Sequence, residues 1–135
     1  MELTAEDVAG RWQIARQIDD RRAGEAGTFA GTAEFTGGPV ELRYLEEGEL
    51  TMGGRAPLRA ARSYVWRFTP AGVELYFDDG RFFHAIGADG RGEHPCGEDL
   101  YRVRYDFSGW PAWQAEWRVV GPRKDYVLRS RYTRP

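Results

Sequence analysis

The chain has 135 residues, and its 19 basic and 21 acidic side chains leave a net charge of −2 at pH 7. The two signs are interspersed, which excludes the broad basic face that binds nucleic acid, so no nucleic-acid partner is expected. A single cysteine excludes an intrachain disulfide. No apolar run approaches the roughly 20 residues that span a bilayer, so no membrane span is expected.

The chain length predicts one domain over residues 1–135. Residues 1–7 carry neither a basic segment nor an apolar core, so we expect no signal peptide and a cytoplasmic location. Thr4 is a suitable N-cap for a short helix, with Asp7 as the acidic member of a capping box. This helix would end at Gly10.

From residue 11 onward, apolar and polar residues alternate with period two, which is typical of strands with one buried face. Asp78-Asp79-Gly80 is a strong hairpin signal, and a loop is predicted over Ala88–Gly97. The predicted strands are Arg11–Ile18, Thr28–Phe35, Val40–Glu46, Glu49–Met52, Leu58–Phe68, Val73–Phe77, Arg81–Ile86, Asp99–Phe107, Ala112–Val120 and Lys124–Tyr132.

Ten consecutive strands with mostly tight turns predict an all-β fold, an antiparallel up-and-down barrel of about ten strands with a short N-terminal helix. Closure of the sheet would remove the exposed edges that promote aggregation. A two-sheet sandwich stays open as an alternative, because periodicity does not show closure.

The segment Asp7–Trp12 resembles the lipocalin signature, in which a short helix precedes Gly-x-Trp at the start of the first strand. The resemblance implies that Trp12 closes one end of the barrel. It also implies that an arginine from the last strand, Arg129 or Arg131, packs across the indole ring. A cation over an indole face contributes about 1 kcal/mol.

Over nearly its full length the chain is also similar to a family of uncharacterised microbial, lipocalin-like (calycin) domains. The segments that carry this likeness are Phe83-His84, His94–Tyr101 and Gly121–Tyr126. The likeness implies a calycin-like barrel and brings no activity with it. Fatty-acid-binding proteins and nitrobindin-like haem barrels share the ten-strand form.

Arg16 and Arg62 occupy positions in the alternation that apolar or aromatic residues otherwise hold. A buried cation is costly unless it is paired. Inside a ligand barrel, such arginines can clamp a carboxylate through a bidentate fork. The alternative is an internal ion pair with Glu46 or Asp99, or a position at the barrel mouth.

The aromatic residues of the same faces would form the wall of a cavity. Tyrosine hydroxyls would offer hydrogen bonds to a polar head, while an apolar ligand body would pack against Phe29, Phe35, Trp66 and Phe77. The alternative is an ordinary core with its hydroxyls bonded to the backbone.

His84, His94, Cys96 and Asp99 form the densest group of chemically versatile side chains. Zinc takes three or four ligands, and no paired Cys-x-x-Cys or His-x-x-x-His motif is present, so no metal site is expected. The same residues would serve an enzyme that works in the barrel cup by acid–base or cysteine chemistry. Either histidine would serve as an axial ligand of haem.

The sequence thus predicts a barrel that binds a small, partly apolar molecule with a polar or anionic head, such as a carboxylate, with no cofactor, metal or catalytic residue. The enzyme, the haem barrel and a solid barrel that acts through its surface stay open, as does a homodimer. The predicted ligand-binding residues are Arg16, Tyr44, Arg62, Tyr64, Trp66, His84, His94, Cys96, Asp99, Tyr101 and Tyr126.

Overall fold

The computed structural model describes residues 3–135; residues 1 and 2, which open the segment considered above for a signal peptide, lie outside it. Helix α1 spans Ala5–Val8. The Thr4 hydroxyl accepts a hydrogen bond from the Asp7 backbone N–H, and the Asp7 carboxylate accepts one from the Thr4 N–H. The predicted capping box is therefore present.

Beyond this helix, the described part of the chain forms one antiparallel sheet of ten strands in the order β6-β5-β4-β3-β2-β1-β10-β9-β8-β7. The sheet curls into a nearly closed barrel, so the all-β prediction is confirmed. The strands are β1 (Gly10–Asp20), β2 (Glu25–Gly37), β3 (Glu41–Met52), β4 (Leu58–Thr69), β5 (Gly72–Phe77), β6 (Phe82–Ile86), β7 (Arg91–Cys96), β8 (Asp99–Asp106), β9 (Trp113–Gly121) and β10 (Lys124–Thr133).

Two strand predictions were wrong. One predicted strand break is absent and one unpredicted strand is present, so the number of strands is still ten. The predicted break near Gly48 does not exist, because β3 runs unbroken through that residue. Gly48 pairs with Gly31 of β2, and a side chain at either position would overlap the neighbouring backbone. These glycines allow a close approach of two strands and do not interrupt either one.

The second error concerns the predicted loop, which contains strand β7. Pro95 lacks a backbone N–H, a feature that argues against a central strand. However, β7 lies at one end of the sheet order and pairs only with β8, with Pro95 opposite Leu100. An edge strand accommodates the proline because the missing donor breaks no central ladder.

The barrel closes where β6 meets β7, and we call residues 82–86 and 91–96 the seam. Within residues 3–135 the two seam strands share no hydrogen-bonded ladder. At one end the Gly87 N–H donates to the Arg91 carbonyl at 3.1 Å. Toward the other end side chains fill the seam, with the His94 ring 6.0 Å from that of Phe82 and 5.7 Å from that of Phe83.

Trp12 fills the closed end of the barrel. Its fully buried ring lies 5.5 Å from Trp110 and 5.8 Å from Trp113. The Arg134 guanidinium lies 3.7 Å above Trp12 and donates to three backbone carbonyls near α1. The expectation that Arg129 or Arg131 packs there is thus corrected: both are exposed on the outer face, because even-numbered residues of β10 face inward.

At the opposite strand ends, inward-facing side chains are only half-buried, and we call this open end the mouth. Its wall is largely aromatic, with the exposed Arg62 at its edge. The half-buried members are Ile18, Leu50, Tyr64, Phe77, His94, Tyr101, Trp117 and Tyr126.

Candidate functional site

The centre of the barrel contains a buried ion pair. The two terminal nitrogens of Arg16 donate to the two carboxylate oxygens of Glu46 at 2.7 and 2.9 Å. The Arg16 Nε donates to the Ser130 hydroxyl at 2.6 Å, so each of the three guanidinium nitrogens donates a hydrogen bond. Both charged side chains are more than nine-tenths buried. The ion pair with Glu46 was one of the alternatives for Arg16.

Two tyrosines complete this network. Tyr44 Oη donates to Glu46 at 2.6 Å and lies 2.8 Å from Tyr132 Oη, so Tyr132 donates to Tyr44. Burial raises the pKa of Tyr132 to about 12. Burial alone would raise the pKa of Glu46, but hydrogen bonds from Arg16 and Tyr44 outweigh it and lower that pKa. The network is therefore neutral overall at pH 7.

The interior above this network is almost filled. The cavity between Tyr64, Trp66, Tyr105 and Trp117 measures about 20 Å³, which is room for about one water molecule. Sites for drug-sized ligands are typically ten times larger or more. Phe29 and Trp66, expected as walls of a ligand site, are packed into the core.

Arg62 has a different environment from Arg16. It lies on the inward face of β4, directly across from Glu46 on β3, but at the mouth, where its side chain is exposed. Its charge helps to lower the pKa of Glu46. Burial raises the pKa values of Tyr64 and Tyr126, and the Arg62 charge offsets part of that rise. Within residues 3–135, no carboxylate lies within ion-pair distance of Arg62.

The remaining predicted tyrosines line the far side of the mouth. Tyr101 lies 5.9 Å below the Lys124 ammonium, which is itself paired with Asp99 at 2.9 Å. Burial raises the pKa of Tyr126 to about 12, and the neighbouring Tyr101 adds to this effect. The Asp99 carboxylate is thus engaged by a lysine at the rim.

Strand β6 contains a bulge that buries Phe83 beside the inward-facing His84. Leu75 pairs with His84 and Tyr76 pairs with Phe82, so Phe83 is an extra residue, and both Phe83 and His84 are buried. Burial lowers the pKa of His84 to about 3. The ring is neutral at pH 7 and fully enclosed.

A short chain of hydrogen bonds connects His84 to the wall of the mouth. Trp117 Nε1 donates to Tyr105 Oη at 3.1 Å, and Tyr105 Oη lies 3.2 Å from His84 Nε2. An indole N–H only donates, so Tyr105 accepts from Trp117 and has its own proton available for His84. His84 Nδ1 has no partner among the described residues.

The groups considered for metal or cysteine chemistry do not converge. His94 faces the mouth among aromatic rings, whereas Cys96 is exposed at the tip of the β7–β8 hairpin. Within residues 3–135, no hydrogen bond joins His94, Cys96 and Asp99, and no group of three or more His, Cys, Asp or Glu side chains could hold a metal ion.

Three residues that were not among the predicted ligand-binding residues contribute to this region. Tyr105 and Trp117 both lie on the inward faces of their predicted strands. This position in the alternation is the feature of the sequence that could have identified them. Phe83 gave none, because regular alternation with Phe82 and His84 hides the bulge that turns it inward.

The ten-strand meander, the tryptophan-filled closed end and the aromatic mouth define a lipocalin-like, or calycin, barrel. The S-type phycobiliprotein lyase CPES of Guillardia theta has a similar structure, with a TM-score of 0.63 and 11% sequence identity over 97% of this chain and 90% of that one. At this identity the likeness shows the fold alone.

Residues 8–134 match the family of unknown function DUF6314, so the chain belongs to that family. The resemblance to an uncharacterised lipocalin-like family is thereby confirmed. No curated protein matches the chain in sequence. Between residues 3 and 135 no helix is long and apolar enough to cross a membrane.

Proposed function

We propose that this barrel binds a small molecule with an anionic head, such as a carboxylate, and that Arg62 binds the head at the mouth. The proposal is supported by an excess of positive charge on the inward face. Arg16 and Arg62 both lie near the Glu46 carboxylate, and Arg16 occupies both of its oxygens. Within residues 3–135, Arg62 therefore presents a cation without an ion-pair partner beside an aromatic surface.

The mouth also supplies an apolar surface for the body of such a ligand. Tyr64, Phe77 and Trp117 are half-buried there, with ring centroids 6.0–6.3 Å from Tyr64 to the other two. Aromatic walls with a few placed polar groups are typical of small-molecule sites. The solved structure of similar fold is a phycobiliprotein lyase, which supports a role for such barrels in handling small molecules.

The proposal moves the predicted site outward. Arg16, Tyr44 and Trp66 form the floor beneath the ligand, and Arg62, Tyr64, His94, Tyr101 and Tyr126 surround it. The proposal requires no cofactor or metal. The cytoplasmic location and the homodimer stay predictions from the sequence.

Isothermal titration of the protein with 1-naphthoate and with its neutral methyl ester tests the role of Arg62. A charge-assisted hydrogen bond contributes about 1.5–3 kcal/mol. Arg62→Leu should therefore weaken naphthoate binding by roughly 10- to 100-fold and leave ester binding nearly unchanged.

Arg59→Leu is the matched control, because Arg59 stands on the outer face of the same strand and is exposed. This variant should bind both compounds as the wild type does. Equal losses for acid and ester in Arg62→Leu would contradict the proposal, as would failure of the wild type to bind the acid at millimolar concentration.

A further inference from the structure

We infer that Phe83 occupies the ligand site in the free protein, and that the ligand is an aromatic acid whose ring replaces the Phe83 ring. The inference rests on the proposed anion site at Arg62 and specifies its ligand class.

The Phe83 side chain is almost completely buried at the centre of an aromatic cage. Phe77 and Tyr64 stack with its ring at interplanar angles of 21° and 25°, whereas the surrounding rings on the other sides present edges at 77–88°. Stacked and edge-to-face arrangements are the preferred contacts of a flat aromatic ring. The centroid distances are 5.8 Å to Tyr64, 4.6 Å to Phe77, 4.3 Å to His84, 5.7 Å to His94, 5.3 Å to Tyr101 and 5.2 Å to Trp117.

The backbone that carries Phe83 is held on one side only. Strand β6 pairs with β5, and the bulge at Phe83 already interrupts that ladder. Within the described residues, β6 has no ladder to β7 across the seam. Segments with few backbone hydrogen bonds to neighbours open at the lowest free energy in a fold. The Phe83 ring can therefore leave the cage while the other strands keep their pairing.

The cage lies beside the proposed anion site. Tyr64 stacks on Phe83, and Arg62 precedes Tyr64 on the same inward face of β4. A ring that takes the place of Phe83 would thus contact Tyr64, the inward-facing neighbour of Arg62 in β4. An aromatic acid matches both the ring cage and the Arg62 cation, whereas a straight-chain acid matches only the cation.

Calorimetric titration of Phe83→Ala with 1-naphthoate and decanoate tests the inference. If the displaced state is 10% populated or less in the wild type, emptying the cage should raise naphthoate affinity about 10-fold or more. Decanoate should gain much less, because it does not match the ring cage. Near-UV circular dichroism checks that the variant retains a packed structure.

Phe83→Leu serves where the alanine variant does not fold, and should show a smaller gain in naphthoate affinity. Phe107→Leu is the matched control, because Phe107 lies at the closed end, 5.6 Å from Trp113 and away from the mouth. This variant should leave naphthoate affinity unchanged although it also removes a ring.

The two proposals fail in different ways. Unchanged or weaker naphthoate binding in the folded Phe83 variants would overturn the role of Phe83, while a preserved effect of Arg62→Leu would leave the anion site standing. An equal gain for decanoate would overturn the aromatic class. Loss of the Arg62 effect, or no naphthoate binding by any variant, would overturn both.

Discussion

Replacing Glu46 by glutamine tests whether the central ion pair holds the barrel together. The change keeps the side-chain volume and one oxygen for Tyr44, but it leaves the Arg16 cation buried without an anion; only 8% of the Arg16 side chain is exposed. Breaking a buried pair by removing one partner costs about 3–5 kcal/mol. For a domain of this size that corresponds to a fall in Tm of roughly 10–18 °C.

Urea unfolding monitored by tryptophan fluorescence measures this loss, with Glu34→Gln as the control. Glu34 pairs with Arg11 at 3.3 Å on the surface, where such pairs contribute about 0–1 kcal/mol. The double variant Arg16→Met/Glu46→Leu should recover most of the stability, because apolar residues can replace a whole buried pair at little cost. A loss below about 1 kcal/mol in Glu46→Gln would refute this account of the core.

Two further predictions concern the buried histidine and the closed end. The pKa of His84 is lowered by burial from 6.5 to about 3, so between these pH values the unfolded chain binds a proton that the folded protein excludes. Stability should therefore fall as the pH drops below 6.5, by up to about 1.4 kcal/mol per unit from His84. His84→Gln should remove this contribution and leave a shallower slope in urea unfolding; a slope equal to that of the wild type would contradict it. Arg134→Ala should cost about 1–3 kcal/mol in thermal unfolding, through the lost Trp12 contact and carbonyl hydrogen bonds, whereas Arg131→Ala on the outer face should cost at most about 0.5 kcal/mol.

Alternation in the sequence was sufficient to place side chains inside or outside wherever the strands are regular. Arg16 and Arg62 both stand on inward faces, as their positions in the pattern indicated. The pattern carries no information on depth along the barrel axis. It therefore gave the same description to a fully paired cation at the centre and an exposed cation at the mouth.

Predictions from the sequence were wrong where the same local residues are compatible with two different backbone structures. The alternation predicts a break at Gly48, but Gly48 is the place where two backbones pass closely. Phe83 and His84 have opposite parity, yet a bulge turns both inward. Bulges and close approaches depend on the partner strand, and no property of the local segment specifies them.

The position of the chain termini in the sheet has a consequence for how the barrel forms. Strands β1 and β10, the first and the last, pair with each other, whereas every other ladder joins strands adjacent in sequence. That one pairing makes the largest single contribution to the contact order of the fold, and non-local pairings of this kind slow folding. A circular permutant cut between β6 and β7 would convert the whole sheet into successive local hairpins, with the wild-type arrangement of its interior retained.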